Sequence, residues 1–266
     1  MWTVVYNAAN RAVSFTSRDG ATVVECGYDY QGRRYMKKVT QNGTVTSHER
    51  YLYRGYLQIA ALDMLDNRNV LRTLLWDPLE PTATRPLALV QGASLYCYGV
   101  DFNKNVTEVF DAQGTIAAAY DYSPYGAVTG TGSLVQPVQW SGEMNDEELA
   151  LVYYNYRYYN PADGRWINRD PIAEEGGWNL YAFLGNSPQD KVDALGLIGI
   201  FGLLGGALID YGFQVTANYI QGKEDPWTDI DWGSVTTSAA LGAAGIPGNV
   251  KIGKNIYKNV KEAVKM

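Results

Sequence analysis

Strand-forming segments that alternate with short turns running from Asp to Gly limit the fold of this chain more than any other feature. Segments such as ATVVECGYDYQGRR and NVTEVFDAQGTIAAAYDY are rich in β-forming residues. They contain or precede the turns Asp29–Gly32, Asp111–Gly114 and Asp121–Gly126. An Asp side chain accepts a hydrogen bond from the backbone two residues ahead, and Gly adopts the positive φ of a tight turn. Each of the three turns therefore predicts a hairpin.

Repetition of these hairpins indicates a sheet that grows by adding strand pairs rather than a closed globule. Tyr28 and Tyr120, which precede two of the turns, are predicted to lie on strands and to supply large rings to the next layer. The 21 Tyr and 28 Gly among 266 residues are typical of many short strands and tight turns. We therefore expect a mainly β fold from Met1 to about Asp193.

Charge and residue counts argue against several classes of function. A net charge of -6 argues against a nucleic-acid-binding surface on the β region. His48 is the one histidine and lies in a polar, loop-like stretch, so we expect it to be exposed and predict neither a zinc site nor a Ser-His triad. Cys26 and Cys97 are widely spaced, which favours two free, half-buried thiols over a disulfide. The sequence predicts no metal and no cofactor, and the first residues do not match a signal peptide.

The composition changes near Leu195. The run ALGLIGIFGLLGGALI is apolar, but it is about one turn shorter than the ~20 residues that a bilayer-spanning helix needs. For residues 195–209 a helix packed inside protein is therefore preferred over contact with a membrane. A second helix is predicted at 235–244, followed by a basic tail. We expect a small helical C-terminal segment.

Three pieces of sequence, in order, resemble a known family. They are YDYSPYGAV, WSGEMNDEELALVYYNYRYYNPADGRWINRDPI and GGWNLYAFLGNSPQDKVDALGL. Together they resemble the RHS repeat-associated core domain of RHS and YD-repeat proteins, and the upstream YDYQGRR and DAQGT units extend the likeness more loosely. The expected organisation is a YD-repeat-like β-sheet at 1–119, a core domain at 120–197 and a helical pretoxin linker at 198–266.

The resemblance implies a shell with a cargo. YD repeats of this family wind a β-sheet spiral into a hollow shell, and the core domain plugs one end of it. The core acts as an aspartyl-type self-cleaving protease that releases the polypeptide beyond its final motif, usually a toxin. The implied partners are the chain's own C-terminal toxin polypeptide, a cognate immunity protein and a secretion machinery. The implied location is secreted or at the cell surface, as part of a larger exported protein.

The family's functional residues fall on specific positions of this sequence. Its cleavage aspartate corresponds to Asp170, its arginine to Arg157, and its scissile bond to Leu197–Ile198. Aspartyl proteolysis needs one protonated and one ionised carboxyl, which a partly desolvated site produces by separating their pKa values. For the second carboxyl we favour Asp146 over Asp193, because the chain next to a scissile bond is more naturally substrate than catalyst.

The tyrosines around Arg157 are expected to dry this site. Asp170 would then share it with the guanidinium, which favours an ionised carboxylate or a developing oxyanion. The rings in question belong to Tyr153, Tyr154, Tyr156, Tyr158 and Tyr159.

Other interpretations of the same residues stay open. Arg157 and Asp170 can form a buried ion pair without chemistry, in a purely structural or carbohydrate-binding β-spiral module. Ala194 stands where relatives have Pro, which removes a stiffening residue before the proposed cut. Asn160 replaces an Asp of the family motif, as a turn residue of equal use.

Overall fold

A computed structural model describes residues 1–78, 84–171, 173–176, 178–186, 188, 193 and 196. It divides into two compact units. The first contains Met1–Pro171 and Tyr181–Gly196, and the second contains Ile172–Leu180 and Leu197–Met266. Of the second unit, the described part includes a short 3₁₀ helix at Ala173–Gly176. The predicted helices, the basic tail and the Leu197–Ile198 bond lie outside the described residues.

The described residues of the first unit form two antiparallel sheets. In the large sheet every strand pairs with its neighbours in sequence. It consists of β1 (Trp2–Tyr6), β2 (Ala12–Ser17), β3 (Thr22–Tyr28), β4 (Arg34–Gln41), β5 (Thr44–Arg54), β6 (Leu57–Asp63), β7 (Val70–Trp76), β8 (Pro86–Gln91), β9 (Ser94–Val100), β10 (Val106–Phe110), β11 (Ile116–Tyr122) and β12 (Val128–Gly132). The small sheet consists of β13 (Met144–Asp146), β14 (Leu151–Tyr154), β15 (Arg157–Asn160) and β16 (Arg165–Trp166). The mainly β prediction is confirmed.

Two of the predicted turns have the expected mechanism. Asp29 Oδ1 accepts hydrogen bonds from the backbone N–H groups of Gln31 and Arg33 at 2.9 and 3.0 Å, and Gly32 has φ +79°. The turn that begins at Asp111 repeats this geometry. Tyr28 lies at the end of β3, as predicted. The side chain of the first turn residue thus supplies acceptors for backbone N–H groups that the turn leaves without a backbone partner.

The third predicted turn is shifted. Asp121 lies within β11, opposite Thr129 of β12, and Tyr120 is on the same strand, as predicted. Ser123 begins the turn instead, since its hydroxyl accepts a hydrogen bond from Ala127 N–H at 3.0 Å. The expectation for Asp121 was wrong because a Ser hydroxyl can fill the same role from a position two residues later.

One shared core joins the two sheets. Inward side chains of the large sheet, such as Phe15, Val24 and Val39, cluster with Tyr153 and Tyr158 of the small sheet. Ring centroids of Phe15 and Tyr158 are 5.2 Å apart in an edge-to-face arrangement. The small sheet therefore has one face against the large sheet and a second face that is free to build a separate site.

Three further expectations have structural outcomes. His48 is half-buried on β5, opposite Lys38 of β4, rather than exposed in a loop, because a strand side that is not fully buried accepts a polar residue. Both cysteines are free, but Cys26 is buried and Cys97 is exposed rather than both half-buried. Within the described residues, no helix has the length and apolar character needed to cross a membrane.

Candidate active site

The hairpin of β14 and β15 places Arg157 on the face of the small sheet that points away from the large sheet. Tyr154 pairs with Arg157 and Tyr153 pairs with Tyr158 in the antiparallel register. Because successive side chains of a strand alternate between faces, Tyr153 and Tyr158 meet the large sheet, and Tyr154 and Arg157 share the opposite face. Arg157 is 2% exposed there.

Arg157 gathers two carboxylates and one backbone carbonyl. Its Nη1 donates a hydrogen bond to Asp170 Oδ2 at 2.7 Å, and its Nη2 lies 3.7 Å from Asp193 Oδ2. Its Nε donates to the carbonyl oxygen of Gly196 at 2.6 Å. The predicted meeting of Arg157 and Asp170 is confirmed. Burial lowers the pKa of Arg157, while Asp170 and Asp193 act in the opposite direction.

Asp193 and Gly196, which both contact this guanidinium, are joined by a hydrogen bond. The N–H of Gly196 donates to Asp193 Oδ1 at 2.8 Å, and Gly196 has φ +74°. A Cβ at this position would lie 3.3 Å from the Cβ of Tyr154. Gly therefore serves twice here, since it permits the left-handed backbone and the close approach to β14.

Aromatic rings enclose the polar cluster. The guanidinium carbon of Arg157 lies 4.0 Å from the ring centroid of Trp166, in a cation–π contact. Tyr154, Tyr159 and Phe183 pack around Trp166 with centroid distances of 5.1 to 5.7 Å. All four rings are at most 2% exposed. Charges in such a dry surrounding interact more strongly than in water.

The five tyrosines predicted to dry this site divide among three places. Tyr154 and Tyr159 enclose Arg157, as expected. Tyr153 and Tyr158 instead face the large sheet, where both rings lie within 5.8 Å of the guanidinium of Arg34. The fifth, Tyr156, lies at the tip of the hairpin, and its hydroxyl is 2.6 Å from that of Tyr56. Strand alternation explains the division between the first two pairs.

Asp146 is not beside Asp170 in the structure, contrary to the expectation for the second carboxyl. Asp146 pairs with Leu151, so it shares the face of Tyr153 and binds Arg34 and Lys37 of β4. Burial by itself would raise the pKa of Asp146, but Arg34 and then Lys37 overcome this effect and hold it at about 2. A carboxylate held by two cations is a structural anchor, and Asp193 is the carboxylate that accompanies Asp170.

A further carboxyl, Glu143, was missed by the sequence analysis. It is buried directly before β13, and burial followed by the nearby charge of Asp193 raises its pKa well above the ordinary value. The pKa of the neighbouring Tyr154 is also raised well above the ordinary value, first by burial and then by Glu143. The one sequence signal for the burial of Glu143 is its position directly before a strand of the core domain.

The arrangement combines carboxyls, a guanidinium and a bound peptide carbonyl in a desolvated site. These are the groups that acid–base chemistry on a backbone amide needs. Within the described part of the chain, no group of three or more His, Cys, Asp or Glu side chains has the arrangement of a metal site.

Comparison with known proteins identifies one matching family model and several similar toxins. A family model described as Teneurin YD-shell matches residues 2–188. The "Double-stranded DNA deaminase toxin A" of Burkholderia cenocepacia is 38% identical over 102 residues, which cover 36% of this chain and 7% of that protein. "Toxin protein Tse5" of Pseudomonas aeruginosa is 34% identical over 151 residues, covering 47% of this chain and 11% of Tse5.

A solved structure shows a similar fold. The crystal structure titled TcdB2-TccC3-Cdc42 matches with a TM-score of 0.60 at 22% identity, covering 75% of this chain and 10% of that one. The chain thus spans about a tenth, or less, of the length of these relatives.

Proposed function

Because the chain belongs to the teneurin YD-shell family, we propose that it is a shell segment of a larger toxin-carrying protein and that its core cuts the chain after Leu197. The cut releases the polypeptide that follows. Two relatives bear the word toxin in their names, which supports a toxin as the cargo. An immunity protein, a secretion machinery and export to the outside of the cell belong to the same proposal.

The observation that carries the proposed cleavage is the contact between Arg157 and Gly196. The Gly196 carbonyl accepts a hydrogen bond from Arg157, and one residue separates that carbonyl from the Leu197–Ile198 bond. Asp170 and Asp193 contact the same guanidinium. Holding the substrate backbone beside the reactive groups turns an intermolecular step into an intramolecular one.

The proposed reaction is hydrolysis of one peptide bond by water. One carboxylate of the Asp170–Asp193 pair accepts a proton from water as the water oxygen attacks the carbonyl carbon of Leu197. The other carboxyl donates its proton to the amide nitrogen of Ile198 as the carbon–nitrogen bond breaks. The products are a carboxyl group on Leu197 and an amine on Ile198. Arg157 holds the Gly196 carbonyl and balances the charge of the pair.

Asp193 replaces Asp146 in this scheme. The Asp193 side chain lies 3.7 Å from Arg157 and accepts a hydrogen bond from the N–H of Gly196, even though Asp193 is close to the cut in sequence. Asp146 lies on the opposite face of the small sheet, with Arg34 and Lys37. The objection that chain next to a scissile bond is substrate therefore does not exclude Asp193.

Mass spectrometry of the purified full chain tests the proposal. Cleavage predicts fragments of residues 1–197 and 198–266, the second having 266 − 197 = 69 residues and starting at Ile198. Asp170→Asn removes a carboxyl that must exchange a proton, so we expect an intact chain. Asp163→Asn is the matched control, since Asp163 is exposed in the turn before β16 and should leave cleavage unchanged.

A wild-type chain that stays whole under native conditions would contradict the cleavage proposal. Cleavage of Asp170→Asn at the wild-type rate would contradict the role of Asp170. Neither result would affect the assignment to the family, which rests on the sequence match.

Exposed aromatic rings on the large sheet favour a second candidate function, carbohydrate binding. Tyr30 in the β3–β4 turn is 93% exposed and Phe102 in the β9–β10 turn is fully exposed. Such rings stack on sugars, and a contiguous patch of them would mark a binding surface. Glycan-array binding that is lost in Tyr30→Ala and Phe102→Ala would support this function, and an absence of glycan binding would remove it.

A further inference from the structure

Glu143 lies buried next to a small cavity that has both polar and apolar lining residues. The side chain is 3% exposed, and its Oε1 has no hydrogen-bond partner among the described residues. A cavity of about 10 Å³ is lined by Glu143, Gln58, Thr84 and Asn155, among others. Gln58 is also 3% exposed, and within the described residues its Nε2 likewise has no partner. This volume is about the smallest that holds one water molecule, which would bridge the amide to the carboxyl.

Four groups act on Glu143 from the elements packed around it. Asp193 contacts Arg157, Tyr154 lies on β14, Lys104 lies in the β9–β10 turn, and Thr84 precedes β8. Of these, Lys104 and Thr84 favour the ionised carboxylate, whereas Asp193 opposes it. Burial and Asp193 together outweigh the other two groups, so the pKa of Glu143 stays raised.

Burial and the lack of a partner favour the neutral form of Glu143. Glu143, Asp170 and Asp193 are three buried carboxyls, and Arg157 is the guanidinium that touches Asp170 and Asp193. An ionised Glu143 would place a charge in a dry surrounding with one carboxylate oxygen that has no partner among the described residues, which is costly. Glu143 therefore retains a proton, in addition to the proton that the proposed cleavage places on one acid of the Asp170–Asp193 pair.

We propose that Glu143 is a positioning residue that carries this proton: as a neutral acid between the cavity and Asp193, it keeps Asp193 ionised and in contact with Arg157. The role in cleavage rests on the proposed function. Ionisation of Glu143 at high pH would set a second negative charge against Asp193 and slow the cut. Glutamine at position 143 stays neutral at every pH and keeps hydrogen-bonding groups for the cavity.

Thermal unfolding tests the proton independently of cleavage. In an Asp170→Asn background, which keeps the chain whole, Glu143→Gln is compared with its parent between pH 5 and pH 8. The folded parent retains a proton that its unfolded state loses above the ordinary Glu pKa, so its stability falls as pH rises toward the folded pKa. We expect the Tm of the Gln variant minus the Tm of its parent to increase by roughly 3 °C for each unit that the pH rises.

Glu148→Gln is the matched control for this measurement. Glu148 lies five residues further along, is part-exposed and binds Lys37. We expect its Tm to run parallel to that of the parent between pH 5 and pH 8. A Glu143→Gln variant that also runs parallel would overturn the proposal.

Cleavage rates against pH test the positioning role. We expect the wild-type cleavage rate to fall at alkaline pH. The Glu143→Gln rate should match that of wild type near neutral pH, and its alkaline fall should begin at least one pH unit higher. Glu148→Gln should follow wild type. An unchanged alkaline fall in Glu143→Gln would overturn the positioning role while leaving the proposed cleavage intact. A wild-type chain that is never cut would overturn the proposed cleavage, and the unfolding experiment alone would then decide whether Glu143 holds the proton.

Discussion

At the scale of single residues, the corner at Ser141 and Gly142 places Glu143. Both residues adopt left-handed backbone, with φ of 54° and 68°. The N–H of Ser141 donates to Asn105 Oδ1 at 2.7 Å, and its carbonyl accepts from Thr84 Oγ1 at 2.7 Å. These bonds hold an uncommon conformation that a non-Gly residue adopts only when its surroundings support it.

Gly142→Ala should be strongly destabilising. A Cβ there would lie 1.8 Å from the carbonyl oxygen of Thr84, so the backbone must move. Left-handed strain and overpacking together predict a loss of about 2–5 kcal/mol in the free energy of unfolding, measured by urea denaturation.

Gly55→Ala is the matched control for that substitution. Gly55 has a similar φ of 59°, and a Cβ there meets nothing within 4 Å. The strain alone then costs about 1–2 kcal/mol. Equal losses at both positions would show that the contact with Thr84 does not constrain the corner.

At the scale of elements, a buried ionic cluster fastens the small sheet to the large one. Arg34 and Lys37 of β4 bind Asp146 of β13, and Lys37 also binds Glu148 at 2.9 Å. The guanidinium of Arg34 lies 4.3 Å from the ring centroid of Tyr153. A buried ion pair is weak evidence of net stability, but the loss of one partner leaves a buried charge uncompensated. The cluster therefore specifies how the sheets dock.

Asp146→Asn separates this structural role from a catalytic one. Loss of the carboxylate leaves Arg34 and Lys37 short of negative charge, which should cost about 3–5 kcal/mol at neutral pH. Cleavage should still proceed at temperatures where the variant is folded, because Asp146 is on the other face from Arg157. A folded Asp146→Asn variant that is not cleaved would indicate that Asp146 is a catalytic carboxyl.

The stability difference between wild type and Asp146→Asn should also depend on pH. The folded pKa of Asp146 is about 2, below its unfolded value, so its contribution is present above the unfolded pKa of ~3.9. That contribution is lost as pH falls through the folded pKa. We expect the difference in Tm to be constant above pH 5 and to shrink between about pH 4 and pH 2.

At the scale of the whole molecule, burial is concentrated near the small sheet and falls away at the last strand. Buried and half-buried residues alternate along the stretch 37–40 of β4, whereas all five residues of β12 are exposed. Among the described residues no strand pairs with the outer edges of β1 and β12. Local stability should follow this distribution, because strands with few buried contacts open at low free energy.

Hydrogen exchange measures this distribution directly. The ladder amides of β4 and β14 should exchange together and slowest, because the two strands share one core. Amides of β12 should exchange at least about 100-fold faster, equivalent to about 2.7 kcal/mol. Uniform protection across all twelve strands would contradict a core centred on the docked small sheet.

The sequence by itself determined the hairpin meander and the family. Turn chemistry is local: the backbone around Asp29 and Asp111 depends on residues two to four positions away, so their hairpins could be predicted. The meeting of Arg157 and Asp170 followed from a motif that spans only a strand, a turn and a strand. The catalytic roles of these residues remain predictions.

Only the tertiary structure decided which acids share a site. The sequence favoured Asp146 over Asp193, but strand alternation turns Asp146 toward Arg34, and Asp193 lies 3.7 Å from the guanidinium of Arg157. Glu143 was missed because its burial depends on Thr84 and Gln58, which are distant in the chain. Side-chain charge is a property of one residue, whereas its partners and its dryness are set by segments that only folding brings together.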